Sequence, residues 1–304
     1  MTESAGDPTP SVEEGGSAAL GTKSRTPVEG GCLYIVAVPI GNLDDITLRA
    51  LWVLQNAHRI ACEDTRRTGR LLELLGLPKR PLLAVHDHNE DRRAGRVIAS
   101  LQAGEAVALV SDAGTPTISD PGFRVVRAVI EAGHRVVPIP GVSAAVAALC
   151  ASGLPTDRFR FVGFAPPKRA ALRRRLEAVR GATETQVFYV SPHQLERFLA
   201  TAVEVFGGAR PAVIARELTK KFEEFRRGTL AELVADPGVV RGEIVALIGG
   251  APPEEAPAGA ALREVVAGLL QDGFAPSKAA REAAKRTGAS RDEAYRLAIE
   301  LRQT

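Results

Sequence analysis

The chain has 304 residues, 45% of them hydrophobic, with 39 Lys and Arg against 36 Asp and Glu for a net charge of +3. That length exceeds one average domain and the apolar content is ample for two cores. The near balance of charge excludes a chain that grips nucleic acid by bulk positive charge alone. Its three cysteines, Cys32, Cys62 and Cys150, form no CxxC pair and lie beside no His set, so buried reduced thiols are expected and a metal site is not.

Residues 1–31 are rich in Gly, Ser, Thr, Pro and Glu and lack a basic stretch followed by an apolar one, which predicts a disordered tail rather than a secretory signal. No apolar run approaches the roughly 20 residues that span a bilayer, so a cytoplasmic protein with no membrane partner is expected. Cys32 to Val38 is a continuous apolar run stopped by Pro39 and Gly41, as for a strand buried on both faces. Asp45 is placed to cap the helix that follows, in which Ile46, Leu48, Leu51, Trp52 and Leu54 recur at helical spacing.

The same alternation continues through strands at Arg59–Cys62, Leu82–Val85, Ala106–Val110 and Arg135–Ile139, separated by helices over Thr68–Leu75, 91–102 and 122–132, with a last helix at Ser143–Ala151. Strands alternating with helices predict an α/β domain with a mainly parallel sheet over residues 32–153. A second α/β domain is expected over 154–250, with strands at Phe159–Phe164, Thr185–Val190, Pro211–Arg216 and Glu243–Ile248 and helices over 168–180, 193–206 and 229–234.

Residues 251–259, with Pro252, Pro253 and Pro257, read as a linker. Residues 260–304 read as a small helical module resembling a helix-turn-helix. Its segments are punctuated by Asp272-Gly273, by Ser277 as a cap, by Gly288 as a stop, and by Ser290 with Glu293 as a capping box.

Neither GxGxxG nor GxxxxGK[ST] is present, which disfavours a dinucleotide dehydrogenase and a P-loop nucleoside triphosphatase. Instead, strand ends are broken by Gly and Pro, and in an open parallel sheet such ends gather at the carboxyl edge where ligands bind. Ser111–Gly122 packs two Gly, two Pro, two Asp and two Ser into twelve positions after an apolar strand, three times the length of a simple turn. Pro39-Ile40-Gly41-Asn42 and Pro140-Gly141-Val142-Ser143 are ambiguous alone.

Together with Glu63-Asp64-Thr65-Arg66, Phe161–Phe164, Arg216–Lys220 and Gly242–Val245, these segments resemble the tetrapyrrole methylase family over roughly residues 32–250, and Glu63–Arg66 and the Ser111 run resemble its branch that acts on RNA. The resemblance implies two α/β domains with S-adenosylmethionine held between them, and a homodimer. It also implies methyl transfer to the ribose 2′-hydroxyl of a cytidine in the decoding region of 16S ribosomal RNA, with the RNA or the small ribosomal subunit as partner. By position in the family motifs, Pro39, Ile40, Gly41, Asp112, Gly114, Thr115, Pro116, Ile118, Ser143, Ala144, Glu217 and Gly242 would bind the cofactor. Many relatives carry Gly-Asp-Pro where this chain has Gly114-Thr115-Pro116, so no role carries over for that Asp.

A ribose hydroxyl is a poor nucleophile, so a carboxylate that takes its proton would help. Glu63, Asp64, and Glu90 in His86-Asp87-His88-Asn89-Glu90 are the candidates; the alternative for Glu63, Asp64 and Arg66 is a helix cap with an ion pair. Arg66, Arg67, Arg216, Lys220 and Lys221 stand at strand ends where they would meet phosphates. The basic run Lys168, Arg169, Arg173, Arg174 and Arg175 reads equally as a solvated helix face.

Lys278, Arg281 and Lys285 in the terminal module suit RNA phosphates, and a dimerising cap is the other reading of that module. A tetrapyrrole methyltransferase and a non-catalytic ribosome-assembly factor are the competing functions.

Overall fold

Continuous apolar runs in this chain fold into strands buried on both faces, and the helices between them supply the cover. The computed structural model describes residues 26–86, 89–252 and 260–303. The expected tail up to residue 25 and most of the expected linker lie outside the described residues. The chain divides into two compact units, one holding the chain up to Pro39 together with Leu43–Val142, the other holding Ile40–Asn42 and the chain from Ser143 onward.

The first unit is built on β1 (Cys32–Val36), β2 (Arg59–Cys62), β3 (Leu82–Ala84), β4 (Val107–Val110) and β5 (Arg135–Ile139), in the order β3-β2-β4-β1-β5 with every neighbouring pair parallel. Alternate residues of each strand serve opposite faces. Tyr34, Val36, Ile60, Cys62, Ala108 and Val110 pack under α1 (Leu48–Asn56) and α2 (Thr65–Leu74). Leu33, Ala61, Val107 and Leu109 pack under α3 (Glu90–Gln102) and α4 (Phe123–Glu131). The loops leaving the adjacent strands β1 and β4 therefore diverge to opposite faces, which opens a crevice at their carboxyl ends.

The second unit departs from a parallel sheet. Its order is β6-β7-β10-β8-β9, formed by β6 (Phe159–Phe164), β7 (Thr185–Val190), β8 (Pro211–Arg216), β9 (Glu224–Thr229) and β10 (Ile244–Ile248), and only β6 and β7 run parallel. Strand β9 escapes sequence reading because Glu-Phe-Arg-Arg-Gly-Thr lacks an apolar alternation. It is an edge strand, where charge is tolerated and discourages pairing with another chain.

One face of this sheet buries Phe188, Val190, Ile214 and Ala246 against α6 (Arg169–Glu177), α7 (Leu195–Phe206) and α8 (Leu230–Ala235). The other buries Val187, Val213, Ala215, Val245 and Leu247 against α5 (Ala144–Cys150) through Ala145, Ala148 and Leu149. That packing places α5 in the second unit, although a boundary after residue 153 would assign it to the first.

Arg227 closes this packing by donating to the carbonyls of Ser152 (3.0 Å) and Ala151 (2.6 Å), a favourable cation at a helix C-terminus.

Three helices follow: α9 (Ala260–Gln271), α10 (Pro276–Thr287) and α11 (Arg291–Gln303). Small residues let them approach closely, with Ala279, Ala280, Ala283, Ala294 and Ala298 buried among Leu262, Val266 and Leu269.

Two expected caps are corrected. Thr47, not Asp45, caps α1, its hydroxyl accepting from Ala50 N at 3.0 Å, because Leu43–Asp45 is already a separate turn of 3-10 helix. Helix α10 starts at Pro276 behind Ala275 rather than at a Ser277 cap, since Pro at the first helical position needs no N–H partner. Cys32 and Cys62 are buried as expected, but Cys150 is exposed at the end of α5. Burial pushes the Cys62 thiol up to about 11, which makes it inert.

Candidate active site

At the crevice of the first unit, the loops after β1 and β4 are joined by a two-bond bridge: Val38 N donates to Gly114 O at 2.9 Å and Gly114 N donates to Val38 O at 3.0 Å. Gly114 has φ +75°, and beyond it Thr117 and Ser119 hold φ of +72° and +66°. L-residues in that region are strained, and such strain clusters where a loop must present its backbone to a ligand.

The Thr115 hydroxyl donates to Val142 O at 3.0 Å, which ties the loop after β5 into the same rim. Gly141 is required there, because a Cβ would stand 2.8 Å from the Ala37 Cβ. Thus Pro39, Asp112, Gly114, Thr115, Pro116 and Ile118 gather at one edge of the first sheet. Fixed backbone carbonyls and hydroxyls at a switch-point crevice, with no room for larger side chains, fit a compact polar cofactor such as an adenosyl compound.

The loop after β2 joins this rim through Asp112, which accepts from Asp64 N at 3.1 Å and pairs with Arg67 at 3.2 Å. Asp64 caps α2 by accepting from Arg66 N at 2.8 Å, and its other oxygen meets the Arg66 guanidinium at 3.0 Å. The bond from the Arg66 side chain, then the one from its backbone, hold the Asp64 carboxyl at about 2, against 3.8 ordinarily. Those bonds make Asp64 a helix cap and an ion-pair partner of Arg66.

Glu90 is likewise engaged. It is 6% exposed, accepts from Gly122 N and from Arg124 N (3.3 Å), and so caps α4. Glu63 is half-buried at the end of β2, beside this network. Asp87 and His88 lie outside the described residues.

A surface groove of about 550 Å³ runs along α2 between Asp64, Arg66, Arg67, Arg70, Leu71 and Leu74. Arg66 is 90% exposed there. Arg70 joins it without having been singled out in the sequence; its spacing of four residues from Arg66 on one helix is the signal that would have found it.

In the second unit, Ile40 packs on the core beside α5, and Gly41 lies so close to Lys220 that a Cβ would stand 2.5 Å from its Cγ. Asn42 N donates to the Thr219 hydroxyl at 3.2 Å. The turn between β8 and β9 carries two more left-handed non-glycine residues, Glu217 (φ +51°) and Thr219 (φ +65°).

The Glu217 carboxylate folds over Gly242, accepting from Glu243 N at 3.0 Å and from Lys220 Nζ at 2.9 Å. The Lys220 bond, followed by the Glu243 backbone bond, keeps the Glu217 carboxyl below the usual range. Gly242 has φ +82°, and a Cβ there would stand 2.1 Å from the Glu217 carboxylate. Glu217 and Gly242 therefore meet each other and brace the turn. Ser143 stands at the start of α5, ahead of Ala144, with no hydrogen bond from its side chain to the helix.

Two of the residues expected to contact RNA are held in ion pairs. Arg216, 13% exposed, is clamped by Glu224 at 3.1 Å, and Lys220 is held by Glu217 and Glu243. Lys221 is exposed, and Lys278, Arg281 and Lys285 line one exposed face of α10 at spacings of three and four residues, without ion pairs among the described residues.

With this geometry in view, comparison with known proteins is decisive. The family model for tetrapyrrole (corrin/porphyrin) methylases matches residues 32–234. The chain belongs to the tetrapyrrole methylase family. Its curated relatives include two named ribosomal RNA small subunit methyltransferase I. The one from Pseudomonas aeruginosa is 49% identical over 90% of this chain and 98% of its own length; the one from Mesorhizobium japonicum is 49% identical over 90% and 92%.

Solved structures share the fold. Uroporphyrin-III-C-methyltransferase from Thermus thermophilus superposes with TM-score 0.52 at 24% identity, covering 72% of this chain and 94% of that one. Diphthine synthase does so with TM-score 0.54 at 16% identity, covering 72% and 90%. Of this chain, β10 and α9–α11 lie beyond the stretch matched by the tetrapyrrole methylase model. Among the described residues, no His, Cys, Asp and Glu cluster suits a metal ion and no helix is long and apolar enough to cross a membrane.

The Asp64 cap makes a pH-dependent contribution of known sign. Its folded value of about 2 lies below the ordinary 3.8, so the stabilisation is complete above about pH 4 and is lost as pH falls toward 2. Urea midpoints measured from pH 2 to 5 should show a shallower acid limb for Asp64→Asn than for the parent; identical slopes would mean that the cap does not operate.

Proposed function

We propose that this protein transfers the methyl group of S-adenosylmethionine to the ribose 2′-hydroxyl of a cytidine in 16S ribosomal RNA. What carries the acceptor is the likeness, over nearly the whole chain, to relatives named as small-subunit ribosomal RNA methyltransferases. What supports the donor is membership of the methylase family together with the bridged loops at the crevice of the first sheet.

Bound S-adenosylmethionine supplies an already activated methyl group, so the protein's task is to position the acceptor and keep water away. Pro39, Ile40, Gly41, Gly114, Thr115, Pro116, Ile118, Ser143 and Ala144 are proposed to touch the cofactor. Asp112, Glu217 and Gly242 hold the loops in shape. The attacking 2′-oxygen loses its proton, and we assign its removal to Glu63, the half-buried carboxylate that directly follows β2. Arg66 and Arg67 on α2, Lys221 in the β8–β9 turn, and Lys278, Arg281 and Lys285 on α10 are assigned to RNA phosphates. A homodimer and a cytoplasmic location belong to the same proposal.

Mass-spectrometric mapping of 16S ribosomal RNA from a deletion strain should show the loss of one ribose methyl, restored by the parent protein but not by Gly114→Val, which should also bind no S-adenosylmethionine in calorimetry. Unchanged RNA would refute the proposal. Glu63→Gln should lower kcat by on the order of 10²–10⁴-fold with cofactor affinity retained; a full-rate variant would remove Glu63 from proton transfer. Replacing Lys278, Arg281 and Lys285 together with Ala should reduce the slope of log affinity against log salt by about 2, and an unchanged slope would take α10 off the RNA.

A further inference from the structure

We propose that the exposed rings of Phe222 and Phe164 form a stacking platform for unpaired bases of single-stranded RNA, which rests on the RNA reading above and extends it to residues that reading does not use. The strand register brings the two rings to one end of the second sheet. Phe164 lies opposite Tyr189, and Ile244 lies opposite both Val190 and Arg216. The ends of β6, β7 and β8 and the start of β10 therefore share that edge. Three strand spacings separate β6 from β8, or about 14 Å.

Phe222 is 65% exposed and Phe164 61%. One exposed Phe is ordinary, but both of these are held in place. Phe222 projects from a turn fixed by left-handed backbone at Glu217 and Thr219, by the Glu217 bonds to Lys220 and Glu243, and by Thr219 N donating to Glu223 at 2.6 Å. Phe164 stands edge-on to Tyr189, with centroids 5.3 Å apart and an interplanar angle of 66°.

A lysine stands over one ring and another follows the second closely in sequence. The Lys221 ammonium lies 5.6 Å from the Phe222 centroid, and Lys168 is exposed four residues beyond Phe164; neither makes an ion pair among the described residues. Two separated rings interleaved with cations are not the contiguous apolar patch of a protein interface. They match the aromatic and basic pattern that single-stranded nucleic acid requires, in which every base offers a face and every phosphate a charge.

The test uses the whole protein and a fluorescein-labelled, unstructured oligoribonucleotide at low salt, read by anisotropy, with cofactor calorimetry and thermal melting to verify each variant's fold. Phe222→Ala should weaken binding roughly 5- to 150-fold. Phe222→Trp should retain it and Phe222→Leu should not, since Leu keeps apolar volume but no ring; Phe164→Ala should act in the same direction.

Wild-type affinity in Phe222→Ala, equal affinity for Leu and Phe, or an effect confined to sedimentation would overturn the platform alone. A parent protein that retains no oligoribonucleotide, with 16S ribosomal RNA unaltered in the deletion strain, would overturn the RNA reading and the platform together.

Discussion

The pair of hydrogen bonds between Val38 and Gly114 is the constraint on which the candidate site depends. Helices on opposite faces draw the loops after β1 and β4 apart, and without a tie each loop would be free to follow its own helix. The bridge holds them together where they part. It requires glycine at 114, whose φ of +75° lets its amide and carbonyl both face Val38. Thr115 then reaches Val142, and Asp112 reaches Asp64, so loops from four strands form one rim.

The second unit applies the same economy with different means. Its turn between β8 and β9 is held by a carboxylate rather than a backbone bridge, with Glu217 lying over a glycine and gripping both a lysine and an amide. Ion pairs of this kind restrict which cations can face a ligand. Arg216 and Lys220 are held in ion pairs, while Lys278, Arg281 and Lys285 on α10 make none among the described residues. A count of basic residues therefore says little about a phosphate-binding surface until their carboxylate partners are known.

Much of the fold was legible because most strands are rich in apolar residues: β2, β5, β6, β7 and β8 have the expected bounds, and the Gly and Pro clusters after β1, β4 and β5 mark their ends. What escaped reading depends on contacts distant in the chain. Glu90 looks like a loop carboxylate until α4, some thirty residues on, places its N-terminus against it. Asp64 looks equally like a base or a cap, and only its bonds to Arg66 separate the two.

Strand β9 carries no apolar pattern because an edge needs none, and α5 belongs with the second sheet because of the alanines it buries there. Phe222 offered no periodic signal; its meaning comes from the turn that holds it out.

The bridged rim also bears on the thermodynamics of recognition. A Gly/Pro-rich loop that is loose before its ligand arrives must surrender conformational freedom on binding, which weakens affinity for each residue ordered. Here that freedom is given up when the first unit folds, since Val38, Gly114 and Thr115 are already bonded to their neighbours. Folding stability bears the entropic burden, and the ligand meets a surface already in its final shape.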